Sequence, residues 1–179
     1  MTCKKLTEEN SRFRIFLKNT ADPDEFDRHF RDLHNEIFIR DEFDCRKCAS
    51  CCKLYKIRVE NDDIFAIAQY LGQTKDEIID RYLLLDNEET GVYIMEAKPC
   101  GFLNSDGKCR IYSVRPLVCR DFPHSRKPGR LYNLKSVMDF AEDCPALFEI
   151  IERLKVVYGF DARDVNAASD PFSRADRGS

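Results

Sequence analysis

Cys45-Arg46-Lys47-Cys48-Ala49-Ser50-Cys51-Cys52 places four cysteines in eight residues. A Cys-x2-Cys step turns the chain so that both sulfurs face one metal, and nearby backbone N–H groups can support the thiolates. The step is made twice, from Cys45 to Cys48 and from Cys48 to Cys51. Cys52 breaks the pattern by following Cys51 directly. Neighbouring side chains diverge, so one of the pair is expected to complete the local site and the other to serve a second one. The polar surroundings and the spacing argue against these four being small buried hydrophobes.

A second group lies downstream: Cys100, Cys109, Cys119 and Cys144. Cys100 and Cys109 flank Asn104-Ser105-Asp106-Gly107, a turn sequence that can fold them together. Cys119 sits in Arg115-Pro116-Leu117-Val118-Cys119-Arg120-Asp121-Phe122-Pro123, where two prolines stiffen the backbone. Cys144 opens a helix, and there simple burial competes with ligation. With Cys3 set aside, eight cysteines remain. They divide into two sets of four, or into one cluster plus thiols with another role. The first run also carries the C-x2-C-x2-C spacing of iron–sulfur ligation, without its fourth residue. The ligand candidates are therefore Cys45, Cys48, Cys51, Cys52, Cys100, Cys109, Cys119 and Cys144. Arg115 and Arg120 bracket Cys119 and can donate to thiolates, sulfide or a carboxylate. Tyr112 reads as packing. His124 is near enough to Cys119 to substitute as a ligand but reads better as a supporting or surface residue. His29 and His34 have no partner at ligand spacing and read as surface or packing residues.

Composition narrows the class. The chain has 179 residues, 43% of them hydrophobic, with thirteen Phe, so a core can form without depending wholly on metal. No stretch approaches the ~20 apolar residues of a membrane span, and Met1–Asn10 lacks the apolar run of a signal peptide. The expectation is a cytoplasmic protein with no membrane association. In a reducing compartment disulfides rarely persist, and nine cysteines is an odd number, so metal or redox chemistry is the better reading. The net charge of −3 is unevenly spread: 45–58 carries Arg46, Lys47, Lys53, Lys56 and Arg58 without an acid. Residues 98–135 carry nine Lys/Arg against only Asp106 and Asp121. Such charge can offset thiolates or form a face for an acidic protein partner. Nucleic acid fits poorly, because no stacking aromatics are interleaved with it. The sequence leaves the oligomeric state open.

Periodicity gives an α+β domain, mostly helical, with short strands and a cysteine-rich, loop-dominated metal-binding layer. Residues 1–20 read as a helix or a loosely held arm. Asp22-Pro23 opens an amphipathic helix running toward Phe43, with Phe26, Phe30, Leu33 and Ile37 on one face. Residues 45–52 read as a tight loop and 54–59 as a strand. Asn61–Asp63 caps a helix that Gly72 ends, and Thr74 caps the next, which runs through Tyr82 and Leu83. Residues 91–97 and 131–137 read as strands, and Pro145 opens a last amphipathic helix. The expected division is an N-terminal helical segment (1–44), a cysteine domain (45–160) and an unfolded tail (161–179).

The cysteine run, joined to Cys109-Arg-Ile-Tyr-Ser-Val-Arg-Pro-Leu-Val-Cys119-Arg-Asp-Phe-Pro123, resembles the CxxCxxCC (YkgJ-type) cysteine-cluster family. Residues 45–145 carry the likeness, including a helical spacer at 62–85. The resemblance implies chelation of zinc or iron, with an iron–sulfur cluster favoured over zinc. The expected role is a redox or protein-modification accessory one. The alternative is a zinc-stabilised binding module with a basic face. The same cysteine pattern occurs in flagellin lysine-N-methylases, which use S-adenosylmethionine. Here no Gly-rich loop after a strand suggests a methyl-donor site, so the cluster carries over, and S-adenosylmethionine-dependent protein lysine methylation stands only as a third alternative.

Overall fold

A computed structural model of the chain describes residues 3–86 and 91–161. Its helices and strands, in order, are α1 (Cys3–Thr20), α2 (Pro23–Asn35), α3 (Cys45–Cys48), α4 (Ser50–Leu54), β1 (Arg58–Val59), α5 (Asn61–Leu71), α6 (Lys75–Tyr82), β2 (Leu83–Leu85), β3 (Tyr93–Met95), α7 (Leu117–Asp121), α8 (Leu134–Ala141) and α9 (Pro145–Val157). The architecture is mostly helical with one small antiparallel sheet, an α+β fold. No helix among the described residues is long and apolar enough to cross a membrane.

The chain divides into two compact units. One comprises Met1–Glu42 with Ser125–Ser179, the other Phe43–His124. The first is a helical assembly in which α8 contacts α9 and α1, and α9 contacts α2. Residues 125–160, grouped with the cysteines by sequence, thus supply helices that pack on α1 and α2. Its core includes Phe13, Phe26, Phe30, Leu134, Leu147 and Leu154, all fully buried. Helix α2 begins where Asp22 accepts from the Glu25 N–H at 2.9 Å with Pro23 in the first turn. It runs on into a π-helical turn, Glu36–Arg40. Asp27 reaches across to the downstream stretch, where its carboxylate accepts from the backbone N–H groups of Gly129 and Arg130. Lys155, 6% exposed, is held by Glu9 at 2.8 Å and Glu152 at 2.7 Å. His29 faces Glu25 at 3.4 Å. His34 stacks on Phe38 and bonds Ser125, and burial followed by the Arg126 charge lowers its pKa to about 4.

Residues 131–137 correct the sequence reading. They are not a strand: α8 starts at Leu134, after turns at 130–133. Leu134, Val137, Met138 and Ala141 are its buried face, a helical spacing that shows only when the window extends beyond Val137.

The second unit holds the cysteine segments. Its core is Val59, Ile64, Ile67, Ala68, Ile78, Leu83, Met95, Phe102 and Ile111, with Cys100 and Cys109 packed on its margin. Strand β3 lies between β1 and β2, pairing Arg58 with Ile94 and Leu84 with Ile94 across its two edges. The strand expected over 54–59 is confined to Arg58–Val59, because Ser50–Leu54 is helical. Leu83 leaves the helical pattern to begin β2. Helices α5 and α6 each start with a capping box, at Glu60/Asp63 and Thr74/Glu77. Gly72 ends α5 with φ +64°, a conformation that a Cβ would strain. The tail expected to be unfolded lies outside the described residues, apart from Asp161.

Candidate metal centre

The Cys45–Cys52 segment is two short helices, α3 and α4, joined at Ala49. Asp44 caps the first by accepting from the Arg46 N–H at 2.9 Å, and its carboxylate also takes a two-pronged ion pair from the Arg46 guanidinium. Ala49 is buried and adopts φ 53°, ψ 18°, the left-handed conformation that reverses the chain between Cys48 and Cys51. Its N–H bonds the Cys45 carbonyl at 3.0 Å. The expected tight loop is therefore a helical double turn with its bend at a single residue.

The Cys100–Cys109 segment is a small hairpin. Leu103 bridges Cys109, the Arg110 N–H bonds the Phe102 carbonyl at 2.9 Å, and Gly107 turns the tip with φ +79°. The backbone N–H groups of Phe102 and Leu103 point at the Cys100 sulfur, and that of Ile111 at the Cys109 sulfur. Such amides support a thiolate. The hairpin joins the first segment where the Cys100 N–H bonds the Cys52 carbonyl at 2.8 Å.

Cys119 rides on α7. The Leu117 N–H at the start of that helix donates to Asp63 Oδ1 at 3.1 Å, so a carboxylate that caps α5 also caps α7.

These segments converge. Cys45, Cys51, Cys52, Cys100, Cys109 and Cys119 line one cavity of about 50 Å³, whose other walls include Ile57, Met95, Phe102 and Ile111. A second cavity, also about 50 Å³, shares Cys51, Cys52, Cys100 and Cys119 and is closed by Tyr55 and Phe122. The Cys51 and Cys52 sulfurs are 4.0 Å apart, so adjacency does not send the two thiols to separate places. That departs from the expected division of the pair. Cys48 lines neither cavity; its thiol donates to Ser50 Oγ at 3.3 Å. Cys144 belongs to the other unit, where it occupies the position just before α9. His124 and Arg120 also line neither cavity, and the His124 ring lies edge-on to Phe122.

Electrostatics within the basket are those of crowded thiols. Burial, then repulsion from Cys52, Cys100 and Cys109, pushes the Cys119 thiol up to about 12. Cys52 is raised by its contact with Cys51 and by burial. Cys45, Cys100 and Cys109 are raised chiefly by burial. Arg115 opposes the rise at Cys45, Cys52, Cys109 and Cys119. Its guanidinium lies 3.7 Å from the Tyr112 ring centroid and its Nε donates to the Tyr112 carbonyl at 3.0 Å. Arg46 stands 5.5 Å from the same ring. The sequence reading of Tyr112 as packing missed this platform, and only the Tyr-x2-Arg spacing of Tyr112 and Arg115 could have hinted at it.

The donor set fits zinc or iron, since soft thiolates are the ligands both take. Among the described residues no three His, Cys, Asp or Glu donors close on a single point at ion-binding distance. The thiols line a wall, and loading requires that they draw inward or surround something larger than one ion.

Comparison with known proteins agrees with the donor chemistry. Residues 44–145 match the family model described as "CxxCxxCC: Putative zinc- or iron-chelating domain". The chain is also 38% identical over 84 residues to an uncharacterized protein, MJ0661, of Methanocaldococcus jannaschii. That alignment covers 46% of this chain and 45% of the relative, so the match spans under half of each. No solved structure matches the chain.

Proposed function

Because the chain belongs to the CxxCxxCC family, we propose that the unit Phe43–His124 chelates iron as an iron–sulfur cluster, and that the cluster serves a redox or protein-modification accessory role. The observation that carries this reading is the convergence of six thiols, from three segments of the sequence, on one cavity. Cys45, Cys51, Cys52, Cys100, Cys109 and Cys119 would hold the group, with Cys48 and Cys144 as the remaining candidates from the sequence. Six lining thiols exceed the four that a closed zinc site takes. Their spread around a wall suits a group of several atoms.

A bound cluster supplies one-electron transfer at a potential set by its hydrogen bonds, charge and exposure. The chain's own contribution is to bury the thiols against an apolar core. It also aims three backbone N–H groups at two of them and keeps a guanidinium at hand. The test is iron, acid-labile sulfide and visible absorption of protein purified without oxygen. Iron and sulfide together support the cluster, and a colourless protein with neither overturns it.

One observation favours a second reading, a zinc-stabilised module with a basic face for an acidic partner. Lys47, Lys53, Lys56, Lys98 and Arg120 are exposed near the cysteines, and no ion pair engages them among the described residues. Zinc without sulfide, with salt-sensitive binding to polyglutamate, would select it.

A further inference from the structure

We propose that Arg115 is a positioning residue of the metal centre: clamped on Tyr112, it supplies the fixed positive charge that offsets the thiolates at the cavity. The inference rests on the metal reading above.

The geometry gives Arg115 little freedom. Its plane covers the Tyr112 ring at 3.7 Å and its Nε is held by the Tyr112 carbonyl at 3.0 Å. One face and one edge of the guanidinium are therefore committed to a single residue three positions upstream. The side chain lines the thiol cavity and is only partly exposed. Among the described residues no carboxylate pairs with it, whereas Arg46, the other cavity arginine, is neutralised by both oxygens of Asp44. Arg115 is thus the cavity's uncompensated cation. It shares that cavity wall with Cys45, Cys52, Cys109 and Cys119, thiols carried by α3, α4, the hairpin and α7.

The charge balance says what such a cation does. When four neutral thiols bind a divalent ion, four protons leave and the site passes from neutral to two negative charges. A guanidinium at the wall stabilises the loaded state over the empty one. Arg keeps that charge at any working pH, and its flat face stacks on an aromatic ring as an ammonium does not.

The test uses metal-free full-length chain titrated anaerobically with Co²⁺, read by thiolate-to-metal charge-transfer absorption. Arg115→Gln should weaken Co²⁺ binding about tenfold, within the range for residues that support a ligand shell. Arg115→Lys should recover part of the loss, Tyr112→Phe should match wild type, and Lys56→Gln should too, since Lys56 lines neither cavity. Metal-free Arg115→Gln should melt where the wild type does. Affinity within twofold of wild type in Arg115→Gln overturns the inference while leaving the metal reading intact. So does a loss that tracks a lowered metal-free melting temperature and that Lys does not rescue. A wild-type chain that binds no Co²⁺ overturns this inference, and the metal reading falls with it only if protein purified without oxygen also lacks iron and sulfide.

Discussion

Removing the Asp63 carboxylate should loosen a cysteine it never touches. Its Oδ1 accepts from the Leu117 N–H at 3.1 Å, and Oδ2 from the Glu60 N–H at a longer 3.4 Å. A hydrogen bond to a charged group contributes about 1.5–3 kcal/mol, and Asp63 is partly exposed, so about 1.5 kcal/mol is assigned to Leu117. The longer capping contact adds about 0.5 kcal/mol. Asp63→Ala should then destabilise the chain by about 2 kcal/mol, a fall in Tm of about 4–8 °C at this length. The share at Leu117 bears on Cys119, because α7 has five residues and little else to fix its start. If metal needs α7 docked, 1.5 kcal/mol of undocking weakens affinity about tenfold. The assay pairs thermal unfolding of metal-free protein with Co²⁺ affinity. Thr74→Ala is the control: it breaks the capping box of α6, which bears no cysteine, and should lower Tm without changing affinity. If Asp63→Ala lowers Tm but binds Co²⁺ as Thr74→Ala does, the link from α5 to Cys119 is refuted.

Cys52→Ser, which alters one of the four thiols common to both cavities and the one in contact with Cys51, should abolish metal loading measured by elemental analysis. Asp27→Ala should cost about 2–4 kcal/mol in denaturant unfolding, because two backbone N–H groups at residues 129 and 130 lose charged acceptors. His34 is neutral in the fold and its pKa is lowered to about 4, so the unfolded chain binds more protons below its ordinary value of 6.5. Its contribution is complete above about pH 6.5 and is lost as pH falls toward 4. With partial exposure the loss is of order 1–3 kcal/mol. His34→Gln should flatten the stability profile between those limits, and an unchanged slope would count against it.

The sequence made the cysteines and the long helices legible, because both signals are local. Phe26, Phe30 and Leu33 mark α2, and Asn61–Asp63 and Thr74 mark two helix starts within a few residues. The hairpin between Cys100 and Cys109 was readable from Asn104–Gly107 alone. What escaped needs distant partners. Leu134 looked like part of a strand because its helical neighbours Met138 and Ala141 lie beyond the short window. Leu83 turns into β2 because Met95 offers it a backbone partner. Asp63 read as a cap for its own helix, yet it also serves a helix 54 residues away. The Arg115–Tyr112 clamp could not be read from spacing, since three residues apart is as common in solvent as at a site.

The bond between the Cys52 carbonyl and the Cys100 N–H brings together residues forty-eight positions apart. Everything between them leaves and returns through that neck. Closing a loop costs only about 0.6 kcal/mol more for each doubling of its length. A descendant gene could therefore gain or lose residues far from the neck while its two thiol-bearing segments kept their register. Selection on this chain would then act on the two thiol-bearing segments and on the core residues between them, such as Ile64, Ile78 and Met95, while the length of the exposed turns would be nearly free to drift.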